Sequence, residues 1–213
     1  MPTISSLRNT YRHGDLRRAL LEAGVELARQ GGPKAVVLRE ATRIAGVAPN
    51  AAYRHYASRE KLLQAVRSSA LSALAMAIEK QLGAVKTGLG PAEKAKASLR
   101  AVGIGYVSFA QVEPGLFRTA FSVPEDPSIA GDESRAGESG LSPFGLLSAA
   151  LDNFVEAKLL TAKARVGAEY LAWSAVHGFA MLVIDGPLRG LSVAQTQIIG
   201  KKVIEMVEKG LPA

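Results

Sequence analysis

Cysteine is absent from this 213-residue chain. That excludes disulfides, cysteine-ligated zinc and thiolate catalysis, and it fits a reducing compartment, so a cytoplasmic protein is expected. No secretory leader is expected either, because the first 15 residues are polar and basic rather than apolar. Nor is there a run long enough to cross a membrane. The longest apolar stretch, Leu171 to Ile184, has 14 residues and contains His177, so it reads as a buried helix. Alternating β-branched and aromatic runs are scarce, which argues against sheets. No internal repeat is seen. The motifs of hydrolytic and nucleotide chemistry are missing as well: there is no HExxH, no GxSxG and no phosphate loop. His177 and Asp185 lie two helical turns apart, too little for a catalytic assignment. No enzyme, cofactor or metal centre is expected.

What is present is unevenly distributed. Residues 1–67 hold 12 Lys and Arg against 5 Asp and Glu, while residues 68–213 hold 14 against 14. The whole formal excess of +7 therefore sits in the first third. Clustered positive charge suits a polyanion, through counterion release from phosphates, or else a solvated surface.

The helical period dominates the rest. Leu16, Leu20, Ala23 and Leu27 mark one face of a first helix, with Asp15 as its N-cap and Gly31-Gly32-Pro33 as its stop. Short helices are predicted over 38–45 and 49–56. Ser58 caps a long helix with Leu63, Val66, Ala70, Leu74 and Ala77 on one stripe, running to about residue 82. Residues 83–90 read as a domain break. Pro91 opens a helix striped by Ala95, Leu99, Val102, Tyr106 and Phe109. A short helix over 115–121 follows, then a loop at 122–143 with three Pro and three Gly. Helices over 146–159, 164–184 and 193–210 complete an all-α chain of about nine helices. The expected organisation is an N-terminal arm and small three-helix unit over 1–66, joined by the long helix to a larger helical domain over 83–213.

Two short helices meeting at Gly46-Val47 give the shape of a helix-turn-helix. Gly46 permits the positive φ of a sharp stop, Val47 buries in the angle, and Pro49 pre-sets φ for the second helix. The leading turn of that helix would face base edges. Pro49, Asn50 and Ala51 are therefore the candidates for the groove: Asn50 matches adenine N6 and N7, and Ala51 a thymine methyl. Tyr53, His55 and Arg59 offer phosphate donors, and Arg39 reaches a base edge or a phosphate. Two readings of His55 stay open, packing or donation. Tyr56 reads as core. Arg8, Arg12, His13, Arg17 and Arg18 form an arm that either enters the minor groove or stays solvated.

The run Gly46-Val47-Ala48-Pro49-Asn50-Ala51-Ala52-Tyr53-Arg54-His55-Tyr56-Ala57-Ser58-Arg59-Glu60-Lys61-Leu62-Leu63 resembles the tetracycline-repressor (TetR) family N-terminal domain. Residues 12–66 carry the resemblance. It implies that Tyr53, His55 and Arg59 touch phosphate. The chain departs from the pattern at Ala48, where Ser or Thr is common, at Thr42, where Ala is usual, and at Arg59, which replaces Lys.

Farther on, Trp173, His177 and Gly178 resemble the Trp-His-Gly group of TetR-type C-terminal domains, and the Pro114-Gly115-Leu116-Phe117-Arg118 turn fits the same group. Trp173 and His177, spaced i, i+4, share a helix face. The candidate pocket residues are Phe109, Phe117, Phe121, Trp173, His177 and Met181, with His177 either a core histidine or the polar anchor of an apolar pocket. The resemblance implies that the last two long helices pair with their mates in a second copy. The expected function is a ligand-responsive repressor that binds a palindromic operator as a homodimer and answers to a small apolar effector. An enzyme or an architectural DNA-binding protein on the same scaffold is the alternative.

Overall fold

A computed structural model describes residues 13–122 and 133–211, except for the side chains of residues 13–15 and 49. The arm residues Arg8 and Arg12, and residues 123–132 of the long loop, lie outside the described residues. Ten α-helices are present among those described: α1 (His13–Gly31), α2 (Leu38–Ile44), α3 (Pro49–Ala52), α4 (Arg59–Gly83), α5 (Pro91–Val112), α6 (Pro114–Ala120), α7 (Pro143–Glu156), α8 (Ala162–Arg165), α9 (Ala168–Ile184) and α10 (Val193–Gly210). No helix is long and apolar enough to cross a membrane among these residues.

The count differs from the sequence expectation because the helix predicted over 164–184 is two helices. Val166 leaves helical geometry with ψ 115, which separates the short α8 from α9. Two boundaries also move. Asp15 falls inside α1 rather than before it. The α3 ladder ends at Ala52, although the Tyr56 N–H still reaches the Ala52 carbonyl at 2.8 Å and carries the turn onward.

Local chemistry explains the ends that were expected. Ser58 Oγ accepts from the Lys61 N–H at the start of α4, and Ser192 with Gln195 forms a reciprocal capping box on α10. Pro91 occupies the first turn of α5, where a missing N–H costs nothing. Gly46 turns the chain between α2 and α3 at φ 67, a value that L side chains rarely adopt. Val47 follows, half-buried against the core.

The α1–α3 unit is built on Leu20, Ala23, Val36, Ala41 and Ala52, all buried. Tyr56 is 4% exposed, under the Arg17 guanidinium and with its hydroxyl near the Arg17 carbonyl, so the core reading holds for it. Buried Thr42 bonds its Oγ1 to the Arg39 carbonyl at 2.7 Å, which accounts for a hydroxyl in a tight crossing. Helix α4 joins the two halves. Its fully buried row is Leu62, Val66, Ala70, Leu74 and Ile78, with the predicted Leu63 and Ala77 on its flank. Each large apolar residue so buried contributes about 1.5–3 kcal/mol. Beyond Ala70, α4 packs on α5, which brings α6, α7, α9 and α10 around it.

Candidate nucleic-acid interface and sensor cavity

Helix α3 presents its leading turn outward. Asn50 is exposed, Ala51 half-buried and Tyr53 57% exposed, while Ala52 faces the core at 0%. Ala48 caps α3 without a side-chain hydrogen bond, as its side chain requires. Its extended backbone leaves the first N–H groups of the helix for other acceptors. Arg39, on the first turn of α2, is exposed, and His55 is half-buried. Arg59 has a structural commitment that the sequence did not disclose: its Nη2 donates to the Pro33 carbonyl at 2.7 Å, tying the start of α4 to the turn after α1. After one such bond a guanidinium still has four N–H donors spread over three nitrogens, so it can reach a second acceptor in another direction, whereas a lysine's donors all radiate from one nitrogen.

In the C-terminal half, α4, α5, α6, α7, α9 and α10 enclose a cavity of about 420 Å³. Phe121, Phe144 and Trp173 give it aromatic walls; Leu99, Val102 and Val207 add aliphatic ones. The rings interlock. Phe121 lies 4.8 Å from His177 and 6.0 Å from Trp173, centre to centre, and Phe144 meets Trp173 edge-on at 6.2 Å.

Of the six pocket candidates, Phe121, Trp173 and His177 line the cavity. Phe117 is fully buried behind it, stacked on His177 at 5.6 Å and edge-on to Tyr106 at 5.3 Å, so it supports the wall without forming it. Phe109 and Met181 lie outside the lining. Phe109 is core, one turn past Tyr106, and Met181 is one turn past His177 and packed against the core.

The residue that sequence reasoning missed is Tyr106. It is 6% exposed, and its hydroxyl is the hub of the only polar network on the aromatic wall among the described residues. Trp173 Nε1–H donates to Tyr106 Oη at 2.9 Å, and Tyr106 Oη lies 2.7 Å from His177 Nδ1. A signal existed. A tryptophan N–H and an imidazole on one apolar helix face need buried partners, and a tyrosine hydroxyl serves both. Burial pushes the Tyr106 phenol up and pulls the His177 imidazole down, so both are neutral at pH 7. Arg67 and Arg135 also line the cavity and are both buried; Arg67 Nε donates to the Ala120 carbonyl at 2.8 Å.

Helix α6 connects the cavity to the N-terminal α1–α3 unit. Phe121 at its end forms the wall, while Gly115 in its first turn lies against the carbonyls of Ala28 and Arg29 at the end of α1. Arg29 Nε donates to Glu113 at 2.9 Å, and Arg118 pairs with Asp185 and with the Ile184 carbonyl at the end of α9.

A helix-turn-helix with its second helix exposed, on an otherwise all-helical chain, defines a class of DNA-binding transcription regulators. Residues 20–66 match the family described as bacterial regulatory proteins, tetR family, and residues 99–206 match the tetracyclin repressor-like C-terminal domain. The chain belongs to the tetracycline-repressor family, and it is a transcription regulator rather than an enzyme. Among solved structures it resembles a protein with unknown function from Rhodococcus sp. RHA1, at 25% identity and TM-score 0.73, covering 97% of this chain and 100% of that one. It shares its fold with a putative tetR family transcription regulator from Shewanella sp. PV-4, at 16% identity and TM-score 0.60, covering 93% and 98%. The same holds for the TetR family regulator PfmR from Thermus thermophilus, at 19% and 0.54, covering 91% and 99%. No curated protein gives a significant match.

Proposed function

We propose that this regulator is a homodimeric, ligand-responsive repressor, with residues 1–66 reading a palindromic operator and residues 83–213 holding a small apolar effector and the dimer contact. The observation that carries the reading is the joining of two unlike features by α4 and α6. An outward α3 stands at one end, and a 420 Å³ apolar cavity lies in the other half. Asn50 and Ala51 read bases, Pro49 sets the leading turn, and Arg39, Tyr53, His55 and Arg59 hold the phosphate backbone.

Support for a second copy comes from the outer faces of α9 and α10. Leu171 (65% exposed) and Leu182 (44%) share a face of α9 with Gly178, where an added methyl group would meet no other atom within 4 Å. Ile198 and Met206, 58% and 61% exposed, share a face of α10. The stripe Ile199, Val203 and Val207 instead turns inward onto this chain's own core. Paired α9 and α10 helices would bury those outer faces in a two-fold bundle. Effector binding alters DNA affinity only so far as the cavity differs between the two dimer arrangements, and α6 spans the distance between cavity and reading head.

Selection of bound sequences from random duplex DNA tests the reading. A two-fold symmetric site is expected, with a reporter placed behind it silenced by the protein. Sequence-independent binding alone would mark an architectural protein instead.

A further inference from the structure

The hydrogen bonds on the aromatic wall have a direction. Trp173 Nε1–H can only donate, so Tyr106 Oη is its acceptor. The Tyr106 hydroxyl proton is buried and needs an acceptor of its own, and His177 Nδ1 at 2.7 Å supplies it. The single N–H of the neutral imidazole then sits on Nε2. Among the described residues no protein group accepts a hydrogen bond from that nitrogen, although His177 lines the cavity.

We propose that the chain of hydrogen bonds from Trp173 through Tyr106 fixes His177 as a donor, so the cavity selects an apolar molecule bearing an accepting oxygen, a carbonyl or a carboxylate. This rests on the ligand-cavity reading above and adds the polarity of the ligand's one polar group. Tyr106 and Trp173 are positioning residues: they decide which ring nitrogen carries the proton. A donor-only ligand group would face Nε2–H with no acceptor and bury an unsatisfied hydrogen. Burial keeps the imidazole neutral, in line with a one-proton ring.

Trp173 is the sole tryptophan of the chain and lines the cavity, so its emission reports occupancy directly. The test titrates four probes of one shape into the full chain: butylbenzene, 4-phenylbutan-2-one, 4-phenylbutanoate and 4-phenylbutylammonium. The ketone or the carboxylate is expected to bind about three- to tenfold tighter than butylbenzene, with the ammonium weakest. The ketone and carboxylate arms distinguish the two oxygen sources. His177→Leu should erase the advantage of the ketone and the carboxylate over butylbenzene, and His177→Gln, whose amide nitrogen falls near the Nε2 position, should restore part of it. Tyr106→Phe releases the tautomer and should shrink the advantage with His177 still in place, which keeps the test decisive if His177→Leu does not fold. Butylbenzene binding as well as the ketone, or the ammonium binding best, overturns the donor assignment and leaves the cavity reading standing. No probe moving the Trp173 emission overturns both.

Discussion

The backbone of Gly115 lies so close to Ala28 that a methyl group on it would come within 2.3 Å of the Ala28 carbonyl oxygen. The Arg29 carbonyl is equally near, so the contact is between two stretches of backbone and neither side has a flexible end to move. Gly115→Ala is therefore expected to force α6 away from α1. Overpacking of this kind costs about 1–3 kcal/mol, read as a lower denaturant midpoint in urea unfolding. A midpoint equal to that of the unsubstituted chain would show that the two helices separate freely.

Asn50 and Tyr53 should behave differently although they are three residues apart. Asn50→Ala removes a group suited to a base edge and is expected to relax preference at one position of each half-site, at about 1–3 kcal/mol for the preferred base. Tyr53→Phe removes only a hydroxyl and should weaken all sites alike. Binding to a panel of single-base operator variants separates these outcomes, and equal changes in preference would contradict the assignment.

Much of the N-terminal half was legible because its signals are local. Gly46, Pro49 and Ser58 act on their immediate neighbours, and the i, i+4 rows of α1 and α4 appear directly in the chain. The break after Val166 is marked only by Gly167, which takes φ 79 ahead of α9; a lone glycine inside a helical pattern is also tolerated in a helix interior, so the sequence does not decide between the two. The cavity was legible only by halves. Trp173 and His177 share one helix face, so spacing alone joins them. Tyr106, 71 residues before His177, joins them only through the crossing of α5 and α9. Phe109 and Met181 were expected at the pocket because aromatic and thioether side chains look alike whether they line a cavity or fill a core. Only the packing of α5 and α9 decides which.

Arg59 offers a test of two duties at one residue. Losing the bond to the Pro33 carbonyl should lower the stability of Arg59→Ala by about 1 kcal/mol in the absence of DNA. Should its remaining donors also meet a phosphate, the slope of log affinity against log salt becomes shallower by about one. Denaturation and filter-binding titrations at several salt concentrations measure the two effects on the same sample.

His177 makes stability depend on pH in a definite direction. Burial lowers its pKa below the unfolded value of about 6.5, so the unfolded chain binds the proton more readily. Its contribution is present in full above pH of about 6.5 and is lost as pH falls through the lower folded-state value. Thermal melts of the unsubstituted chain and of His177→Gln between pH 7.5 and pH 5 should therefore converge toward the acid end. A parallel decline of both would remove His177 from the pH response.

Leu171 and Ile198 decide whether the outer faces of α9 and α10 are a dimer contact. Both are more than half exposed in the single chain, a costly arrangement for large aliphatic side chains if nothing covers them. Leu171→Glu and Ile198→Glu place charge on those faces without touching the cavity lining. In a paired bundle each introduced carboxylate would be buried against its symmetry mate, a cost of several kcal/mol that drives the chains apart. Sedimentation should then report a monomer with native helix content. Operator binding should fall steeply, because one reading head grips only a half-site and loses the effective concentration that the second head supplies. An unchanged sedimentation coefficient in both variants would exclude this face as the contact.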